Sequence, residues 1–67
     1  MDTKLAGHLA KGDRIVWDGQ PATVTAIAPF ETPRGSYVEF IVRGEDFHAA
    51  TVLESGDAVR LAPVAGL

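Results

Sequence analysis

Sixty-seven residues carrying nine acids against six Lys and Arg, a net charge of −3, suffice for one domain and not two. The absence of cysteine excludes disulfides and thiolate metal sites, and the acidic balance argues against duplex DNA as the main ligand, because neutralising phosphates takes an excess of cations. No apolar run approaches the roughly 20 residues of a membrane-spanning helix, and the first residues lack the apolar core of a signal peptide, so a cytoplasmic location is expected.

A chain this short buries only about 60% of the surface its unfolded form exposes, which leaves a thin margin of stability. A partner, or a second copy of the chain, is the expected supplement. The whole of 1–67 reads as one small domain, with a core over about 9–62, an arm at 1–8 and a tail at 63–67.

Near the N-terminus, Leu5 and Leu9 lie four apart with Ala6 and Ala10 beside them. One or two helical turns would put both leucines on one face, and Gly7 weakens anything longer. The expectation is a short turn or helix capping the core, with residues 1–4 disordered.

Gly12-Asp13 opens the first clear strand, Arg14-Ile15-Val16-Trp17, and Asp18-Gly19 follows directly. Such a pair between apolar runs signals a tight hairpin, because a two-residue turn needs positive φ. The second strand spans about 22–28. Val24 and Ile27 are three apart, so strict alternation would split them between faces; a β-bulge near Ala26 brings both inward. Two prolines and a glycine predict a loop over 29–35. Residues 36–43 form the best strand, with Val38, Phe40 and Val42 inward and Tyr37, Glu39, Ile41 and Arg43 outward. A fourth strand is expected over 46–51 with Phe47 and Ala49 inward. A tight turn at 54–56 then leads to a fifth strand over 58–61 with Val59 and Leu61 inward. Five short strands with turn signals about every 8–12 residues predict an all-β sandwich or barrel.

The stretch Leu9-Ala10-Lys11-Gly12-Asp13-Arg14-Ile15, followed by Asp18-Gly19 and the Val24 strand, resembles the opening of small SH3-like barrels. KOW-type translation and transcription domains begin in a similar way, with a Gly-Asp pair, an apolar strand and a glycine turn. The tight turn within 52–61 fits the place where SH3-like barrels carry a short 3₁₀ turn. Over roughly residues 9–62 the resemblance implies a five-stranded SH3-like barrel. The long Gly- and Lys-rich loop that follows the first strand of KOW domains is replaced here by Asp18-Gly19, so that loop's RNA-facing role is not implied.

No catalytic group stands out, and no cofactor is expected. His8 and His48 are forty residues apart, outside any metal-type spacing. Ser36 and Ser55, like Asp13, Asp18, Asp46 and Asp57, belong to turns or strand ends, where local hydrogen bonding explains them. The chain therefore reads as no enzyme.

Two surfaces remain. Trp17, Phe30, Tyr37 and Ile41 are candidates for a protein interface, the aromatics being enriched at interface centres; for Trp17 and Phe30 the competing and somewhat favoured reading is that they plug the barrel ends, since so short a chain needs every large side chain in its core. Lys11, Arg14, Arg43 and Arg60 are candidates for an anion or nucleic-acid contact, Arg offering a rigid bidentate fork; a solvated charged face explains them too. Pairing of the first and last strands would set Arg14 beside Arg60. The leading function is a non-enzymatic module binding another protein or itself. The alternatives are a nucleic-acid-binding accessory of KOW or Sm kind, disfavoured by net charge, and a structural subunit of a phage or plasmid-encoded assembly. No membrane partner is expected.

Overall fold

The computed structural model describes residues 2–63, and the tail at 64–67 lies outside them. Six strands and one 3₁₀ turn follow in order: β1 (Thr3–Leu5), the 3₁₀ turn Ala6–His8, β2 (Arg14–Trp17), β3 (Gln20–Thr32), β4 (Gly35–Arg43), β5 (His48–Glu54) and β6 (Ala58–Arg60). Strands β2-β3-β4-β5 form one antiparallel sheet, β1 and β6 a second. An antiparallel bridge between Ile15 and Leu61 and a hydrogen bond from Ala62 N–H to Arg14 C=O join the two into a curled barrel. No helix among the described residues is long and apolar enough to cross a membrane.

The β2–β3 hairpin turns at Asp18 (φ 51°) and Gly19 (φ 79°), the pair of positive φ values that a primed turn demands. The bulge falls between Val24 and Ala26. It sets Val24 opposite Val42 and Ile27 opposite Phe40, so both project to the same face despite their odd spacing. The core comprises Ala6, Leu9, Ile15, Ala22, Val24, Val38, Phe40, Val42 and Val59, with Trp17, Ile27, Phe47, Ala49, Leu53 and Leu61 half-buried against it.

Three expectations are corrected. Thr3–Leu5 is a strand paired with β6 instead of a disordered arm, with Lys4 opposite Val59; the 3₁₀ turn behind it does cap the core through buried Ala6. The loop expected at 29–35 is a continuation of the β3–β4 ladder as far as Thr32 and Gly35. Pro29 is tolerated there because β2 pairs only with residues 20–23, so the other side of β3 is a free edge at Pro29 and the missing N–H costs no ladder bond. Finally, the fourth expected strand begins later and runs further, to Glu54. Gly44 N–H donates to Phe47 C=O, which extends the preceding turn.

Candidate functional site

Residues 28–36 are exposed without a break, so the end of the β3–β4 hairpin stands clear of the core. Its tip is held by side chains: Arg34 N–H donates to Thr32 Oγ1 at 3.1 Å, and Ser36 Oγ donates to Glu31 Oε1 at 3.0 Å. On the outer side of this hairpin, Phe30 lies opposite Tyr37, and their rings stack at 5.7 Å with 19° between planes.

The register carries that outer side across the sheet in rows. Phe30 and Tyr37 end on Glu54 of β5; Ala28 and Glu39 end on Val52; Ala26 and Ile41 end on Ala50; Thr23 and Arg43 end on His48. Phe30, Ile41 and Val52, at 41%, 38% and 48% exposure, are three of the four large apolar side chains left exposed among the described residues, and all three share this face. A shallow hollow of about 410 Å³ is lined by Phe30, Thr32, Pro33, Arg34, Tyr37 and Val52. Glu39 and Glu54 are the carboxylates set among these apolar rows.

Of the candidate interface residues, Phe30, Tyr37 and Ile41 are brought together. Trp17 is placed elsewhere: it packs edge-on against Phe40, centroids 6.3 Å apart at 80°, and plugs the barrel. Val52 and Arg34 were missed. Alternation through His48, Ala50, Val52 and Glu54 is the signal that marks Val52, once the strand is extended past Thr51.

The candidate cations divide. Arg14 and Arg43 flank Thr23 on neighbouring strands and line one hollow with Glu45, and His48 continues the row beyond Arg43. Arg60 lies by Asp2, Val16 and Leu61 in a separate hollow, because β2 and β6 meet at a single bridge instead of a full ladder. Lys11 sits exposed in the turn before β2, outside both hollows. Among the described residues the one ion pair is Lys4 to Asp13 at 2.9 Å. That contact, and then the N–H of Ala10 on the same carboxylate oxygen, hold the Asp13 carboxyl below its ordinary range. The arginines are thus left without carboxylate partners among the described residues. No group of three or more His, Cys, Asp or Glu is arranged to hold a metal ion among the described residues.

These features define a small all-β barrel with an apolar cluster on its outer face and two arginines lining a hollow at one end. No protein-family model matches the chain, and no curated protein sequence does. Solved structures do. A eukaryotic translation initiation factor 5A from Methanococcus jannaschii superposes with a TM-score of 0.79 at 18% identity, over 90% of this chain and 48% of that one. A translation initiation factor 5A family protein from Naegleria fowleri ATCC 30863 gives 0.84 at 15% identity, over 92% and 46%. At such identities the likeness is one of fold, and the chain spans about half the length of those structures.

Proposed function

We propose that this chain is a non-enzymatic interaction module that docks another protein on the outer face of β3, β4 and β5. The observation that carries this reading is the gathering of Phe30, Tyr37, Ile41 and Val52 on one open face. Rigid aromatic and branched side chains there supply contact area at small entropic cost, while Arg34, Glu39 and Glu54 supply charges that fix orientation. A photo-crosslinking side chain at position 41, compared with one at position 11, tests it. One defined protein adduct at position 41, lost on Val52→Lys, is expected; equal labelling from both positions would refute the reading.

A second reading is favoured by the Arg14–Thr23–Arg43 row and by the likeness to translation initiation factors: a nucleic-acid-binding accessory of KOW or Sm kind, working within a ribonucleoprotein. Unpaired arginines flanking a groove suit phosphate oxygens. Affinity for single-stranded RNA should then fall steeply with salt, and Arg14→Ala with Arg43→Ala should flatten that slope by about two phosphate contacts. Absence of binding at low salt removes this reading.

A further inference from the structure

The two sides of β5 are unequally used. One side pairs with β4 along its whole length, from Tyr37–Glu54 to Arg43–His48. On the other, no strand follows, and no hydrogen bond reaches residues 48–53 from any described residue outside β4. The strand is seven residues long with an uninterrupted register, and it carries no proline, lysine or bulge of the kind that usually blunts an edge. The core is also thin here. On β4 the inward Val38, Phe40 and Val42 are sealed, whereas their β5 partners Leu53, Thr51 and Ala49 remain half-exposed.

We infer that β5 is the pairing edge for a second copy of this chain, strand against antiparallel strand about a two-fold axis at Thr51. The sequence His-Ala-Ala-Thr-Val-Leu-Glu is self-complementary in that register. On the outer face, His48 of each copy meets Glu54 of the other, and Ala50 meets Val52. On the inner face Leu53 meets Ala49, filling the half-covered part of the core, and the two Thr51 side chains meet at the axis, a favourable cross-strand pair. Only registers whose residue numbers sum to an even value keep both faces matched. Among these, the one centred on Thr51 gives the longest overlap and places a histidine side chain against a glutamate side chain at both ends, where the Glu54 N–H and C=O stay bonded to Asp57 and the ladder bonds come from residues 50–52. Pairing also joins two outer faces into one eight-stranded surface. The inference therefore extends the docking reading, yet it uses an edge that the docking reading does not need.

Sedimentation of the whole chain at two concentrations about a hundredfold apart tests it, with three variants. The wild-type mass should rise toward twice that of one chain, with slowed amide exchange in β5 at the higher concentration. Ala50→Glu/Val52→Glu sets like charges across the seam at exposed positions and should stay a monomer, as should Ala50→Lys/Val52→Lys. Mixing the two should restore a dimer, which a merely misfolded variant could not do. Ile41→Lys strikes the outer face away from the seam and should leave the dimer intact even if it abolishes docking. A wild-type mass of one chain at both concentrations overturns the inference. So does a dimer that survives either β5 variant, or one lost only with Ile41→Lys, since that result would mean packing face to face.

Discussion

On β4 the side chains alternate between Val38, Phe40 and Val42, all sealed inside the barrel, and Tyr37, Glu39, Ile41 and Arg43, which look outward. The outward set continues through Phe30, Val52, Ala26, Ala28 and Ala50 on the neighbouring strands, so the convex side carries an apolar cluster of its own among Glu39, Arg43, His48 and Glu54. Curvature makes the difference. The bulge after Val24 bends β3, and the sheet wraps one face around Ile15, Ala22 and Val59 while turning the other to water. Hydrophobicity alone does not assign a side chain to the core. The apolar cluster that folding leaves uncovered is the surface the proposed docking would use.

Substitutions on the two faces should separate these roles. Phe40→Ala removes the largest sealed side chain and the edge-on partner of Trp17, so a loss of about 3–5 kcal/mol is expected in denaturant unfolding. In so small a domain that outcome amounts to an unfolded protein at room temperature. Gly44→Ala should be next. A Cβ there would land on the Phe47 ring, forcing it off the core edge at a cost of about 1–3 kcal/mol.

Asp13→Asn is expected to cost up to roughly 1 kcal/mol, because it breaks a half-exposed ion pair with Lys4. Its pH dependence has a definite sign. The folded carboxyl titrates below the ordinary 3.8, so the stabilisation is fully present above that value and disappears as pH falls through the lower folded one. Melting temperatures of wild type and Asp13→Asn should differ near neutrality and converge in strong acid. Ile41→Lys, on the convex face, should change stability least, within about 0.5 kcal/mol, while still eliminating the proposed docking. A large loss of stability from Ile41→Lys would erase the distinction between the faces.

Much of the concave face was legible in the residues themselves. Alternation in β4, the Asp18-Gly19 turn and the odd spacing of Val24 and Ile27 all report short-range backbone chemistry, and all appear as expected. Ile27, Phe47 and Leu61, expected in the core, are packed against it but only half-buried, while small Ala6 and Ala22 are fully sealed. Side-chain size is visible in a sequence; closeness of approach is not. β1 was hidden because three residues carry no periodicity, and its pairing depends on β6, more than fifty residues away. The hairpin arm was hidden because Pro29 and Pro33 signal a loop unless the far side of β3 is known to be vacant. The convex face was partly legible: Tyr37 and Ile41 follow from alternation, whereas Phe30 joins them only once the ladder is carried past Pro29.

The union of β1 with β6 has a kinetic meaning. Hairpins β2–β3, β3–β4 and β4–β5 each close over a short turn, but Thr3 finds Arg60 only after everything between them is in place. Closing so long a loop is slow, and it is rewarded only once the docking sites for the 3₁₀ turn, the carbonyls of Ser55 and Asp57, have formed. The seam between β1 and β6 is therefore expected to be the last to close, and it should be the first part of the ladder to open in native-state amide exchange.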